Sequence, residues 1–182
     1  MALILGTNCG FVTVAPSADP EGTNNVFDNY SISLKDTTTS ANIRVTEIGY
    51  YVDGISEAAD VDVGIYSDNS AGEPHLLLFS DLNNAKGTTA GWKTVAVNWE
   101  LNANTDYWIA IGCTDTATDT FANVGSSGGD GSAYKNSTPS IPADWGSSTG
   151  TDGDGTKGIY ALYELIAPDS TDNMTIIGEN IY

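Results

Sequence analysis

Gly91-Trp92-Lys93-Thr94-Val95-Ala96-Val97-Asn98-Trp99-Glu100-Leu101-Asn102-Ala103-Asn104-Thr105-Asp106-Tyr107-Trp108-Ile109-Ala110-Ile111-Gly112 is the stretch that decides the fold class. Two β-rich runs, one around Val95 and Val97 and one around Ile109 and Ile111, flank a polar Asn-Ala-Asn-Thr-Asp turn, and the pattern predicts a hairpin. Three of the four tryptophans fall inside it. Strict alternation places Val95, Val97 and Trp99 on one face, and Tyr107, Ile109 and Ile111 on one face of the second run, with Trp108 and Ala110 opposite. Burying a tryptophan removes a large apolar area from water, so Trp99 is expected in the core.

The same period of two recurs outward from this stretch. Val61, Val63 and Ile65 alternate with Asp60, Asp62 and Gly64, a half-buried strand. Ile43 and Val45 share one phase while Ile48, Tyr50 and Val52 share the other, and that change near Thr46 and Glu47 predicts a β-bulge. Ile159, Ala161, Tyr163 and Leu165 alternate again. Ser67 to Pro74 and Leu82 to Ala90 read as loops on either side of the apolar run Leu76 to Phe79. Residues 114 to 158 are rich in Gly, Ser, Thr and Asp and show no strong strand signal; a stretch that long is expected to carry function or partial order. No window keeps a helical apolar period. The chain therefore reads as one all-β domain, a two-sheet sandwich of about eight strands, with an N-terminal arm (1–30), a sandwich (31–167) and a C-terminal tail with β character (168–182).

Composition narrows the chemistry. Among 182 residues, 24 acids face 6 bases, a formal net charge of −18. Such a field repels nucleic-acid phosphates and anionic membrane surfaces, so neither is expected as a partner. It is compatible with simple solubility or with aspartates that hold calcium. Cys9 and Cys113 lack metal-site spacing, and free thiols are expected because nothing else points to an oxidising compartment. Met-Ala-Leu-Ile-Leu has no basic residue before it and is cut short by Gly6, so no signal peptide is expected. The sequons at Asn29, Asn136 and Asn173 are then chance matches.

Catalytic constellations are weak. His75, the sole histidine, has no Gly-x-Ser-x-Gly elbow to serve and is expected in a loop or at a strand edge. Zinc chemistry lacks ligands, and no Gly-x-x-x-x-Gly-Lys loop offers a phosphate cradle. A non-enzymatic protein is expected. Calcium has better candidates: Asp152 and Asp154 sit on a glycine-rich frame, with Asp130 available to join them in space, although the remaining acids of an EF-hand loop are missing. Solvated turns are the competing reading. Trp92, Trp108 and Trp145 supply stacking surfaces for a sugar or a partner, and Trp145, alone in the irregular region, is the foremost contact candidate. In the tail, Ile176, Ile177 and Tyr182 are too apolar for a solvated coil, and are expected to pair with a sheet edge of this chain or of a neighbour.

From about Ile43 to Ile166 the order of features resembles jelly-roll domains of tailed-phage virion proteins and bacterial surface proteins. The residues that carry it are Val61-Asp62-Val63-Gly64-Ile65-Tyr66, Gly72-Glu73-Pro74, Gly91-Trp92-Lys93-Thr94-Val95 and Leu101-Asn102-Ala103-Asn104-Thr105-Asp106-Tyr107-Trp108-Ile109-Ala110. The resemblance covers about two thirds of the chain and is specific for a sandwich rather than for an activity. It implies a virion structural component assembled in a host cytoplasm: a capsid decoration, head-fibre or tail-fibre subunit whose partners are other virion proteins or copies of itself. The alternatives are a carbohydrate-binding module for surface glycan, or an extracellular filament subunit that exchanges strands.

Overall fold

The computed structural model describes residues 3–12, 24–25, 30–52, 59–85, 87–113, 121–122, 131–136, 138, 140–152 and 158–167, with 24–25, 121–122 and 152 as backbone only. Twelve strands follow in chain order: β1 (Cys9–Gly10), β2 (Asn24–Asn25), β3 (Ser31–Thr37), β4 (Ile43–Val52), β5 (Asp60–Asp68), β6 (Pro74–Ala85), β7 (Gly91–Leu101), β8 (Asp106–Cys113), β9 (Phe121–Ala122), β10 (Gly131–Lys135), β11 (Gly150–Asp152) and β12 (Ile159–Leu165). No helix occurs among the described residues.

The first sheet is built on β1-β12-β4-β7, with the short β9 and β2 attached at the end of β4 through Val52. The second sheet runs β11-β10-β3-β8-β5-β6. All these pairings are antiparallel. From β3 onward the chain crosses from sheet to sheet at nearly every connection, and the two four-strand sets β1-β12-β4-β7 and β3-β8-β5-β6 form the interleaved Greek keys of a jelly roll. The hairpin β10–β11 is added beside β3.

One expectation is corrected here. The run 91–112 is not a hairpin: β7 pairs with β4 in the first sheet, while β8 pairs with β3 and β5 in the second. The two strands face each other across the core, where Val95 and Leu101 meet the layer of Tyr107, Ile109 and Ile111. The connecting turn is held by the β3–β4 loop, which crosses between the sheets at the same end. Thr39 accepts from the Asn104 N–H at 2.9 Å, and Asn42 Oδ1 accepts from the Ala103 N–H at 2.9 Å. Thr38 Oγ1 accepts the Thr105 N–H at 3.0 Å. Asn104 occupies the left-handed region (φ 48°), which asparagine tolerates better than most side chains.

The bulge in β4 is present. Register shifts between Val45 and Glu47 against both neighbours, leaving Thr46 as the extra residue. The bulge brings Ile43 and Val45 back into phase with Ile48, Tyr50 and Val52, so that all five enter the same core. Val61, Val63, Ile65, Ile109 and Ile111 are buried there as expected, and Val97 and Trp99 pack against it half-buried. The Trp99 ring stacks on Phe79 of β6 (centroids 5.8 Å apart, planes at 14°) and closes the gap between the two sheets.

Three further expectations change. Leu82 to Ala85 continue β6 rather than starting a loop; polar residues suffice there because the strand lies at the sheet edge. Within 114–158 the structure contains β10 and β11 and an ordered segment, residues 140–149, that covers the outer face of the second sheet. The stretch expected as an arm also begins inside the sandwich. Cys9–Gly10 pairs with Ala161–Leu162, and Phe11, at φ 64°, is buried with its N–H on Asp36 Oδ2 at 2.7 Å. A bulky residue pays strain in that region, and the Asp36 bond is what holds it there.

Candidate functional site

The covering segment forms a second small core. Trp108 and Ala110 point away from the inter-sheet core, as alternation requires, and meet Tyr66, Ala133, Ile141 and Trp145. Gly64 makes the close approach possible: a Cβ there would lie 2.6 Å from Ile141 Cδ1 and 2.8 Å from the Phe79 carbonyl oxygen. Polar bonds pin the start of the segment. Ser140 Oγ donates to the buried Asp62 carboxylate at 2.5 Å, and the Tyr66 hydroxyl donates to the Pro142 carbonyl at 2.5 Å. Burial, with the nearby Asp62 charge second, pushes the Tyr66 hydroxyl well above its ordinary pKa, so it stays a donor. The Leu77 N–H donates to Ala143, and the Trp145 N–H to His75, which places the segment alongside the start of β6.

Trp145 and Trp108 are thus core residues, each 1% exposed. The Trp145 ring meets Tyr66 edge-on (5.2 Å), and its Nε1–H donates to Ser148 Oγ at 3.0 Å. The Trp108 Nε1–H donates to Asp68 Oδ1 at 2.8 Å. As placed, neither ring is available to stack on a ligand. The physical reason is that the outer face of a sheet is not automatically solvent when a later segment folds over it.

Trp92 is different. It is half-buried on the outer face of the first sheet, edge-on to Tyr51 (5.5 Å) and to Tyr160 (5.1 Å). Tyr160 lies over Gly49, where a Cβ would come within 2.1 Å of the ring, and its hydroxyl donates to Glu47 Oε1 at 3.0 Å. Burial first, and the Glu47 charge second, raise its pKa far above that of a free tyrosine. An aromatic group beside a carboxylate combines a stacking surface with a hydrogen-bond acceptor.

At one end of the sandwich, an open cleft of about 510 Å³ lies between the β5–β6 and β7–β8 connections, lined in part by Asp68, Leu78, Asn104 and Asp106. Lys35 spans its two carboxylates, 2.8 Å from Asp106 Oδ2 and 3.4 Å from Asp68 Oδ1. Its hydrogen bond to Asp106 raises the Lys35 pKa, and the same bond, helped by Thr37, lowers that of Asp106. The pair therefore remains charged across the physiological range.

The third surface is the edge strand β6. Leu76, Leu78 and Leu82 are 46%, 45% and 47% exposed. His75 is also exposed on this strand, the edge position expected of it. The sequence shows Leu76 to Phe79 only as an apolar run between loops, with no exposed face expected; the lack of alternation in Leu76-Leu77-Leu78-Phe79 is the available signal.

Of the calcium candidates, Asp130 and Asp154 lie outside the described residues, and Asp152 is described only as the backbone end of β11, opposite Ser132. Among the described residues no group of three or more metal-ligating side chains gathers. Ile176, Ile177 and Tyr182 also lie outside the described residues. Cys9 and Cys113 are buried and neither is in a disulfide; burial, then the Asp36 charge, pushes the Cys9 thiol up to about 12. No helix among the described residues is long and apolar enough to cross a membrane. In comparisons with known proteins, no family model matches the chain, and no curated protein matches it by sequence.

Proposed function

We propose that this chain is a non-enzymatic virion structural protein of a tailed phage, a capsid decoration, head-fibre or tail-fibre subunit that acts by adhesion to other virion proteins. The observation that carries this reading is the exposed β6 edge, a strand with three half-exposed leucines on a compact jelly roll. Such an edge is suited to contact with another protein rather than to chemistry on a small substrate. The sequence resemblance to virion jelly rolls and the strand order support the same reading. An antibody against the protein, applied to particles purified from producing cells, should label the capsid or a fibre in electron micrographs. Abundant protein in the lysate with none on purified particles would sink the proposal.

A second reading, a carbohydrate-binding module, is favoured by the Tyr51–Trp92–Tyr160 group beside Glu47. It predicts saturable binding on a glycan array that Trp92→Ala lowers by roughly 0.5–1.5 kcal/mol, the scale of an aromatic contact. Equal glycan signals for both proteins, or none for either, would count against it.

A further inference from the structure

Among the described residues, the outer edge of β6 is paired only at its start. Its first residues accept an antiparallel neighbour from the covering segment: the Leu77 N–H donates to Ala143 at 2.9 Å, the Trp145 N–H donates to His75 at 2.8 Å, and Leu76 bridges Asp144. Beyond Leu77 this added strand ends. In the next run, Leu78-Phe79-Ser80-Asp81-Leu82, the central Phe79, Ser80 and Asp81 pair with Ile65, Gly64 and Val63 of β5 on the inner side, and register shifts fall at Leu78 and after Asp81. Asn84 Nδ2 donates to the Asp81 carbonyl at 3.2 Å and to Asp81 Oδ1 at 3.1 Å, and no added strand continues along this run among the described residues. At Asn83 the backbone turns into the left-handed region (φ 62°), and its N–H is drawn to Asp62 at 2.9 Å, which closes the run.

Edge strands are ordinarily guarded by lysine, by proline or by a covering element. The bulges at the two ends of the run are the guard that β6 does carry; between them it has no lysine, proline or covering element among the described residues, and both terminal leucines are nearly half exposed. The charge on this strand pair is acidic, and the base beside it, Lys35 of β3, is already ion-paired with Asp68 and Asp106. Strands β5 and β6 with their connection carry Asp60, Asp62, Asp68, Glu73 and Asp81 and no lysine or arginine. A second copy of this chain would bring Asp81 against an edge of the same sign, and like charges across a strand pair are destabilising. Each copy also carries a net charge of −18.

We propose that Leu78–Leu82 is an acceptor edge for an extended segment of a different protein, one that carries lysine or arginine alternating with apolar residues and adds as a seventh strand to the six-stranded sheet. Main-chain bonds supply the ladder, Leu78 and Leu82 supply apolar contact, and the acids select the basic partner. The inference names the contact surface for the assembly role proposed above and rests on that reading. Its test uses the isolated protein, so its failure is separable from failure to find the protein on particles.

The probe is an acetylated, amidated peptide that alternates lysine with valine, titrated into the full-length isotope-labelled chain and followed by amide NMR shifts. Saturable shifts should centre on Leu78–Leu82, and affinity should fall roughly tenfold between low and high salt as screening shortens the reach of the acids. Leu78→Lys, at an exposed position, should fold and weaken binding on the order of tenfold or more, by placing a guarding charge on the edge. Leu165→Lys, at a 57% exposed site on β12, should bind like the parent. Shifts centred elsewhere, no saturation at millimolar peptide, or equal affinity for a peptide with glutamate in place of lysine would overturn the proposal. So would a concentration-dependent dimer that Leu78→Lys abolishes, because it would assign the edge to a second copy.

Discussion

Val63→Asp should leave no folded protein. Val63 is fully buried in the middle of β5, paired with Ile111 on one side and Asp81 on the other, and its side chain enters the inter-sheet core. No lysine, arginine or histidine is buried among the described residues. An isolated carboxylate in such a place costs several kcal/mol even after relaxation and proton uptake. A domain of this size has about 5–15 kcal/mol in total, and the lost valine packing adds to the deficit. The comparison that isolates burial is Leu78→Asp on the neighbouring strand, where the side chain is 45% exposed. That variant should be soluble with a cooperative melt. Circular dichroism and thermal melts of the pair check the claim: a soluble, cooperatively folded Val63→Asp protein would show that the core does not sit between these faces.

The positions at which sequence reading and structure agree share one property: their burial is decided by the strand they sit on. Val61, Val63 and Ile65 alternate because one face of β5 meets the core and the other meets the covering segment. The phase change at Thr46 was legible because only an extra residue returns Ile48, Tyr50 and Val52 to the face of Ile43 and Val45. Pairing was not legible. Periodicity says which residues share a face and is silent on the neighbour that a strand bonds to, so β7 and β8 looked like a hairpin although they belong to opposite sheets. Residues 140–149 were hidden for another reason. They hold their place through single backbone bonds, an isolated bridge and side-chain bonds to Asp62 and Tyr66, none of which imposes a repeat on the sequence. The candidate site suffered most from this, because two of the three tryptophans expected at a contact are covered by that segment or belong to it.

Trp145→Ala tests that rearrangement directly. The ring fills the centre of the outer cluster, against Tyr66 and beneath the Lys135 ammonium at 6.0 Å, and it is 1% exposed. Truncating a buried tryptophan costs about 3–5 kcal/mol, because the cavity collapses only in part. For a chain of this length each kcal/mol lowers Tm by about 2–4 °C, so a fall on the order of 10 °C is expected. The loss should be local as well as global. With the ring gone, the segment retains its bonds at Asp62, Tyr66 and His75 but lacks the apolar contact that makes them cooperative, and limited proteolysis should then cut first within 140–149. Trp92→Ala, at a half-buried position on the outer face of the first sheet, should lower Tm much less and leave that segment protected. Of the two rings read as contact candidates from the sequence, Trp145 secures the fold, while Trp92 stays half-buried on the outer face of the first sheet. An unchanged melt for Trp145→Ala, together with a lost partner contact, would reverse that assignment.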